Sequence, residues 1–429
     1  MLTAIMAMYR VTESIVDSAV VTATRGVRQG SPTSCFLFII FVNELIRAMK
    51  EKCQTEPLLE WLHIMVLMDD TVLLSTSRCN MIKKVEVLKQ FCEQYGMVIN
   101  NSKTKFFVIN GEEEDKEPLR VDELVIEHCT SYTYLGSPFT SDGSVSSAVK
   151  VHVKNKLCHV LKYVSFLKKN NDVPFIVKRR VLDAAMMSSL LYGCESWVGA
   201  DVKSVSKLYN WAIKQLLGVR RSTSNLVCYA EAGYPSLPDL IKFKQHNFFR
   251  NMWLERSGMQ DDPLSFAIRT VANTNTHTGK LVQNFIANQP PVPTSLVTNV
   301  HSLIANSDSS RCLVYKEINP DFLVHDVYRS RHTINEHHRI EFTRFRVSGH
   351  SLAVETGRWN RRGRARLPIE ERLCVCGLVQ NERHIIESCP LTQNIRKANG
   401  IVSMEDLFTG CNDHSKTCRV IYEILRTYT

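Results

Sequence analysis

One short apolar segment, which ends in two adjacent aspartates, constrains the fold of this chain more than any other feature. His63–Met68 has the composition of a buried β-strand, Asp69 and Asp70 follow at once, and Thr71–Ser75 resumes the β pattern. The pattern predicts a hairpin with both carboxylates at its turn. Burying two like charges is unfavourable unless a cation lies between them, and oxygen ligands completed by substrate phosphates suit Mg²⁺. An exposed Asp-Asp turn is the alternative, because Asp is a common turn former.

A glycine-rich loop precedes this hairpin and opens a long helix. The loop reads Arg-Gly-Val-Arg-Gln-Gly-Ser-Pro over residues 25–32. Its glycines permit unusual backbone angles, and Ser31 followed by Pro32 is typical of an N-cap with proline at the first helical position. We therefore predict a helix from Pro32 to about Lys52. Two short β-rich runs lie upstream of the loop and are joined at Asp17-Ser18, which predicts a hairpin turn.

Positive charge is concentrated in two blocks of the chain. The formal net charge is +10, and residues 150–221 alone carry 14 basic and 4 acidic side chains. Residues 329–372 carry a further excess of basic side chains, whereas the remainder is neutral or acidic. Such blocks are an electrostatic footprint for a polyanion such as nucleic acid. The alternative is two solvated helical faces. The candidate contacts in the first block are Lys178, Arg179 and Arg180.

A second candidate site lies near the C-terminus, where cysteine and histidine residues are closely spaced. Cys374, Cys376, His384 and Cys389 form the pattern C-x-C-x7-H-x4-C, and Gly377 supplies a tight turn. Three thiolates and one imidazole match a closed tetrahedral zinc site, and thiolates favour zinc over magnesium. The alternative is a chance cluster, since the chain has 14 cysteines.

An arginine-rich segment immediately precedes this cluster. Arginine forks suit phosphate contacts, and a tryptophan suits base stacking. The segment therefore predicts nucleic-acid binding, with a solvated basic linker as the alternative. Its candidate residues are Arg358, Trp359, Arg361, Arg362, Arg364 and Arg366.

The order of these motifs resembles the palm of a reverse transcriptase, specifically that of the non-LTR (LINE-type) retrotransposons. After the loop at 25–32 come LMDDTVLLS, GMVINNSKTKFFVI and YTYLGSPF, and LLYGCESW at 190–197 resembles a stretch in or after the thumb of these elements. The resemblance extends over most of the chain. It implies RNA-templated DNA synthesis by two-metal phosphoryl transfer, with an RNA template, a DNA primer, deoxynucleoside triphosphates and Mg²⁺.

The resemblance also implies roles for individual residues. Asp69 would be a magnesium ligand with Asp70 beside it, and Lys103 would approach the triphosphate, although an ordinary exposed lysine is the alternative there. Leu67 and Met68 replace the aromatic and alanine that the family has before its aspartates, which puts nucleotide selection in doubt. The remaining implied template- or substrate-binding residues are Arg28, Gln29, Gly30, Ser31, Pro32, Tyr134, Leu135 and Gly136.

The family has another catalytic aspartate on a strand upstream of the glycine-rich loop. Asp17 is the aspartate available there, and its context is that of a turn. We therefore expect a truncated, inactive palm with an exposed strand edge and exposed apolar surface. Three hypotheses follow: a polymerase, a non-catalytic RNA- or DNA-binding remnant acting through thumb and zinc knuckle, and a decayed reading frame without selected function.

The predicted fold class is α+β. We expect a partial palm over residues 1–145, a helical basic thumb or connection over 146–272, a linker-like region over 273–328, and an arginine-rich segment with a zinc knuckle over 329–429. The longest apolar run, Phe36–Val42, is shorter than a bilayer requires, and we find no signal peptide. We therefore expect no membrane partner and an intracellular protein, nuclear or cytoplasmic, with reduced cysteines.

Overall fold

The computed structural model describes all residues except 1, 12, 24, 25, 29, 58, 60, 61, 260, 261, 359–364, 409–412 and 429. The chain divides into two compact units, residues 1–144 and residues 145–429. The first contains strands and helices and the second is helical, so the α+β prediction agrees with the structure. The boundary falls within one residue of the predicted end of the palm.

In the described part of unit 1, four small sheets accompany three α-helices. Its elements are α1 (Leu2–Tyr9), β1 (Glu13–Val16), β2 (Ala19–Thr22), α2 (Pro32–Lys52), β3 (Ile64–Leu67), β4 (Asp70–Leu73), α3 (Arg78–Tyr95), β5 (Lys105–Phe106), β6 (Leu119–Val121), β7 (Leu124–His128), β8 (Ser131–Tyr134) and β9 (Ser137–Thr140). Three sheets are two-stranded antiparallel hairpins: β1–β2, β3–β4 and β8–β9. The fourth has the order β5-β7-β6, with β5 parallel to β7.

Helices α2 and α3 pack against each other in one apolar cluster of unit 1, and a second cluster joins α3 to β6 and β7. The Phe41 ring on α2 lies 5.4 Å from Phe91 and 4.9 Å from Tyr95, both on α3. Gly96 ends α3 in the left-handed conformation, with φ of 66°, as predicted for a residue in this position. The Ser77 hydroxyl caps the other end by accepting a hydrogen bond from the Asn80 N–H.

The apolar side chains of α2 are only partly covered. Phe36, Ile39 and Ile40 are each more than half exposed in this structure. By length and composition alone, this helix is also apolar enough to cross a membrane, and 22% of its most apolar window is buried. This differs from the expectation above, which considered only the longest uninterrupted apolar run and so missed the helix as a whole.

A buried ion pair fastens the β3–β4 hairpin to α3. The Lys84 ammonium is fully buried and contacts both the Glu56 carboxylate and the Leu74 carbonyl. Glu56 Oε1 also accepts hydrogen bonds from the Ser75 hydroxyl at 2.6 Å and the Thr76 N–H at 2.8 Å. Burial opposes ionisation of Glu56, but these partners, with Lys84 first, lower its pKa to about 2. The strand that follows the two aspartates is therefore held at its far end.

Unit 2 is helical and contains a large main core and a smaller apolar cluster around Val282 and Phe285. Its helices are α4 (Val145–Lys169), α5 (Phe175–Val181), α6 (Ser188–Leu190), α7 (Lys203–Leu217), α8 (Asn225–Ala232), α9 (Leu237–Arg256), α10 (Pro263–Ala272), α11 (His277–Ala287), α12 (Pro293–Ala305), α13 (Ser310–Ile318), α14 (Glu336–Arg346), α15 (Ala353–Thr356), α16 (Gln393–Asn399), α17 (Met404–Phe408) and α18 (His414–Arg426). A π-helical segment, Leu182–Met187, joins α5 to α6, and a second one spans His384–Ser388.

Residues 273–328 differ from the predicted linker. They form α11, α12 and α13, and the side chains of Val300, Ile304 and Tyr315 are fully buried in the main core. The low charge and high proline content suggested a loose segment. Instead, Pro293 is the first residue of α12, where its missing N–H costs nothing. The segment is thus part of unit 2.

A charged network lies inside unit 2. The Arg346 guanidinium contacts both oxygens of the Glu231 carboxylate, at 2.6 and 3.2 Å, and both side chains are buried. Tyr315 and Tyr328 donate hydrogen bonds to the same carboxylate at 2.8 and 2.6 Å. Burial, together with the Glu231 charge, raises the pKa of both tyrosines well above its usual range. The network joins α8, α13 and α14, so it fixes the positions of these helices relative to one another.

Candidate active site and metal centre

Asp69 and Asp70 lie at the tip of the β3–β4 hairpin, as the sequence predicts. Leu67 pairs with Asp70, so Met68 and Asp69 form a two-residue turn and Asp70 begins β4. Met68 has a φ of 55°, the left-handed region that a tight hairpin turn of this kind requires. Both aspartates are exposed. Among the residues that the structure describes, no group of three acidic, cysteine or histidine side chains includes either of them.

Two other predicted motifs belong to the same unit as this tip. The hairpin β8–β9 turns at Leu135 and Gly136, which have φ values of 48° and 82°. Burial first and the charge of Asp70 second raise the pKa of Tyr134, so this phenol lies within electrostatic reach of the Asp70 carboxylate. The Tyr132 hydroxyl donates a hydrogen bond to the Lys103 carbonyl at 3.3 Å. The structure therefore brings Asp70, Tyr134 and the Lys103 loop into one region of unit 1.

The glycine-rich loop forms a separate, hydrogen-bonded entry to α2. Gly30 has a φ of 82°, Ser31 is the N-cap residue and Pro32 is the first helical residue, so the predicted start of this helix is confirmed. Arg28 Nη2 donates to the Val11 carbonyl at 2.7 Å, and its guanidinium lies 5.5 Å from the centre of the Tyr9 ring. Gln29 lies outside the described residues. Asp17 forms the turn of β1–β2, again as predicted.

The C-terminal cysteines and histidine converge as a metal site would require. The ligand atoms of Cys374, Cys376, His384 and Cys389 all lie within 4.8 Å of one another. Cys374 Sγ is 3.8 Å from Cys389 Sγ, and Cys376 Sγ is 3.2 Å from His384 Nε2. Two thiolates bound tetrahedrally to one zinc ion, at 2.3 Å each, lie about 3.8 Å apart. The four residues therefore fit zinc.

The surroundings of this cluster also suit a metal. Gly377, with a φ of 90°, makes the tight turn after the first two cysteines. His384 Nδ1 lies 3.1 Å from the Ser388 hydroxyl, which leaves Nε2 facing the cluster, as is usual for a metal-bound histidine. Burial and the Arg396 charge lower the pKa of His384, favouring the neutral imidazole. Burial opposes ionisation of Cys389, but its hydrogen-bonding neighbours lower the pKa of that thiol.

The cluster is embedded in unit 2. Ile385 and Ile386 follow the histidine directly and are fully buried in the same core as the helices of residues 145–346. The Glu382 carboxylate, two residues before the histidine, is buried and bound to His350 Nε2 at 2.8 Å. The sequence predicted a small, separate knuckle, whereas the structure makes the cluster part of the helical core. A tethered knuckle would not bury two isoleucines in this way.

The predicted nucleic-acid contacts differ in their exposure. Lys178 is fully buried and forms an ion pair with Glu336 at 3.1 Å. The prediction that Lys178 faces solvent is therefore wrong. Arg179 lies over the Tyr234 ring at 4.8 Å, and Arg180 is exposed. Arg358 forms an ion pair with buried Glu355 at 2.8 Å, while Arg366 is exposed. Trp359, Arg361, Arg362 and Arg364 lie outside the described residues.

Sequence reasoning missed an exposed basic stripe on α4. Helical spacing places Lys150, Lys154, Leu157 and Leu161 along one side of the helix, and all four are exposed. It also missed the Glu56–Lys84 pair that holds the aspartate hairpin. The i, i+4, i+7 spacing of the lysines and leucines is a signal that could have revealed the stripe, whereas nothing local marks Glu56 for burial.

Comparison with known protein families bears on the first unit. Residues 3–139 match the model of the family described as reverse transcriptase (RNA-dependent DNA polymerase). Unit 1 is therefore similar to a reverse transcriptase domain. The match covers the loop before α2, the aspartate hairpin and the β8–β9 turn, and reverse transcriptases normally use Mg²⁺ and bind a template and a primer. No curated protein matches the chain.

Proposed function

We propose that this chain is the reverse transcriptase of a non-LTR retrotransposon, or a part of it. The observation that carries the proposal is the arrangement of Asp70, Tyr134 and the Lys103 loop at one place in a unit that matches the reverse transcriptase family. The family reaction is RNA-templated DNA synthesis. Asp69 and Asp70 would hold Mg²⁺, which activates the attacking hydroxyl and stabilises the leaving pyrophosphate. Lys103 would approach the triphosphate.

We further propose that residues 1–429 do not extend a primer by themselves. A two-metal site needs more carboxylate oxygen than one aspartate pair supplies. Among the described residues, no further acidic, cysteine or histidine side chain completes a group with Asp69 and Asp70. Supply of a further carboxylate from another segment would complete the site.

A primer-extension assay tests this. The purified chain is incubated with poly(rA), oligo(dT) and dTTP in Mg²⁺ or Mn²⁺, and we expect no extension. Extension that is lost in Asp69→Asn, but retained in the exposed control Glu114→Gln, would contradict the inactivity while supporting the active-site assignment. Extension unaffected by Asp69→Asn would contradict the assignment itself.

The second candidate function is nucleic-acid binding without catalysis. It is favoured by the exposed lysines of α4, which carry charge that no acidic partner offsets along that side of the helix. Phosphate contacts of this kind release counterions, so the affinity falls steeply with salt. We propose that the α4 stripe binds a template–primer duplex. We also propose that the protein acts inside the cell, in the nucleus or in a cytoplasmic ribonucleoprotein.

Fluorescence anisotropy with a labelled RNA–DNA duplex tests the second function. We expect the double variant Lys150→Gln, Lys154→Gln to weaken binding several-fold and to reduce the slope of log Kd against log salt by about 2. Lys242→Gln is the matched control, since Lys242 is exposed but lies outside the basic block. An affinity that does not change with salt would contradict phosphate-based binding.

We also propose that Cys374, Cys376, His384 and Cys389 hold one structural zinc ion. The proposal rests on their mutual distances and on the burial of Cys389. Elemental analysis of the full chain should give about one zinc per chain, falling to about zero in Cys389→Ser. Cys158→Ser is the control, because Cys158 is exposed and is not a member of the cluster. A zinc content near zero in the unmodified chain would contradict the assignment.

A further inference from the structure

A hollow on the surface of unit 2 shares no residue with the cysteine–histidine cluster or with the α4 stripe. It follows α9, has a volume of about 390 Å³ and opens to solvent. Its walls are apolar side chains of α9, such as Phe248, and its polar groups are those of Glu195, Lys244, Asn247 and Asn251. The lining residues of α9 recur every three or four positions, so they share one side of the helix.

Contacts beneath the hollow hold its shape. Gln245 is buried and donates a hydrogen bond to the Cys194 carbonyl at 3.2 Å, which ties α9 to the residue beside Glu195. Phe248 meets Phe249 edge to face, with the ring centres 5.3 Å apart, and Phe249 packs in the smaller apolar cluster of unit 2. A ring supported in this way is already ordered, so a ligand that stacks on it loses little free energy in fixing it.

The polar groups of the hollow indicate the chemistry of its ligand. Lys244 Nζ lies 3.8 Å from Glu195 Oε1, so the two charges offset each other. In the described part of the chain, neither the Asn247 nor the Asn251 side-chain amide has a hydrogen-bond partner. Each amide offers two N–H donors and one carbonyl acceptor. The hollow therefore suits an uncharged ligand with an apolar flat face and with donors and acceptors side by side along its edge.

We propose that this hollow binds an unpaired base of a single-stranded nucleic acid. A nucleobase is planar and uncharged, and every base has a π face that can stack on a phenylalanine ring such as that of Phe248. Side-chain amides pair with neighbouring donors and acceptors on base edges, as asparagine does with adenine.

The charge around the hollow favours a nucleic acid over a protein segment as its occupant. Residues 150–221 carry 14 basic and 4 acidic side chains, and this block includes α7, which packs against α9. The phosphates of a bound strand would remain outside the hollow, in the field of this block. The inference rests on the proposed function in that the protein binds nucleic acid, and it extends that binding from a duplex to an unpaired strand.

Comparison of a strand that carries bases with one that lacks them tests this inference. Two single-stranded DNAs of about ten nucleotides are titrated with the full chain by fluorescence anisotropy, each with a dye at its 5′ end. One is oligo(dA), and the other has tetrahydrofuran abasic residues, which keep every phosphate. We expect oligo(dA) to bind at least about fivefold more tightly, the lower end of what stacking of one base on an aromatic ring supplies.

Variants identify the hollow as the source of that preference. Asn251→Ala and Phe248→Leu should each reduce the preference to about twofold or less. Asn251 is exposed, and leucine keeps most of the apolar volume of Phe248, so both variants should remain folded. Leu254→Ala is the control, because Leu254 is exposed on α9 and does not line the hollow. A preference that survives both Asn251→Ala and Phe248→Leu would overturn the proposal.

The possible outcomes separate the hollow from the general function. Equal binding of the two strands would overturn the hollow proposal and leave nucleic-acid binding intact. If neither strand binds, the nucleic-acid function fails, and the probe becomes 2-aminopurine riboside, a fluorescent nucleoside without phosphate. Quenching of its fluorescence by the chain, weakened in Asn251→Ala, would support a base site on its own. Absence of quenching, as expected if the hollow binds a protein segment instead, would overturn the proposal.

Discussion

The two units of this chain each bury an ion pair, Glu231–Arg346 in unit 2 and Glu56–Lys84 in unit 1, but they differ in what they leave exposed. In unit 2, the buried Glu231 carboxylate is bound by one arginine and two tyrosines. Unit 1 leaves its two most informative carboxylates exposed at a hairpin tip and leaves large apolar side chains of α2 exposed. Burial of a paired charge fixes geometry, whereas exposed carboxylates and exposed apolar surface leave groups available for a ligand or partner. Unit 2 therefore has the character of a scaffold, whereas unit 1 presents accessible groups to a ligand or partner.

Removal of the proposed zinc should have the largest effect on the difference between the two units, because it should destabilise unit 2. Structural zinc supplies folding free energy of several kcal/mol or more, and here the ligands are continuous with the core through Ile385 and Ile386. We expect a strong chelator to abolish the cooperative unfolding transition of unit 2. The fluorescence of Trp197 and Trp211 monitors this transition. A transition unchanged by a chelator that has removed the metal would show that the cluster does not stabilise the core.

Breaking the buried network should have the next largest effect. Glu231→Gln leaves Arg346 buried without its charged partner, and such losses cost roughly 3–5 kcal/mol. The free energy of unfolding should fall by that amount in urea titrations of the full chain. The matched control is Glu317→Gln, which removes an exposed ion pair with Arg383 and should cost less than about 1 kcal/mol. Equal effects of the two variants would contradict the role of burial.

The Glu56–Lys84 pair offers a pH-dependent test within unit 1. The pKa of Glu56 is lowered from 4.5 to about 2 in the folded protein, so its contribution is complete above about pH 4.5 and disappears as the pH falls toward 2. Glu56→Gln should destabilise unit 1 by about 2–3 kcal/mol at pH 7 and by progressively less below pH 4.5. Circular dichroism during urea unfolding at several pH values measures this. A loss independent of pH would mean that shape, not charge, matters at this position.

The smallest effect is expected from an exposed pair on the same helix as Lys84. Lys83 and Glu86 lie 3.2 Å apart on α3 and both are solvent-accessible. Glu86→Gln should change the free energy of unfolding by less than about 0.5 kcal/mol, and high salt should remove even that difference. A loss comparable to that of Glu56→Gln would contradict the distinction between exposed and buried charge in unit 1.

Features carried by adjacent residues could be predicted from the sequence. The hairpin turn, predicted at Asp69-Asp70 and found one residue earlier, the start of α2 at Ser31-Pro32 and the end of α3 at Gly96 each follow from local backbone chemistry. The cysteine–histidine cluster was likewise visible from its spacing. The structure brings these residues to the positions that the local patterns indicate.

Features that depend on distant partners could not be predicted in this way. A run of three basic residues predicts that Lys178 faces solvent, and its burial depends on an ion pair with Glu336, far along the chain. Glu231 and Arg346 likewise lie 115 residues apart and meet only through the packing of α8 and α14. The composition of residues 273–328 predicts a linker, because it does not reveal that Val300, Ile304 and Tyr315 are buried in the core of unit 2.

Helix α18 has a consequence for the order in which unit 2 is assembled on the ribosome. Cys418, Ile421 and Ile424 of this helix are fully buried in the main core, and α18 packs against α14. Synthesis proceeds from the N-terminus, so α4 to α14 leave the ribosome with the place of α18 still empty. The nascent core therefore remains open until residues 414–426 emerge, and this period is when a chaperone has access to it.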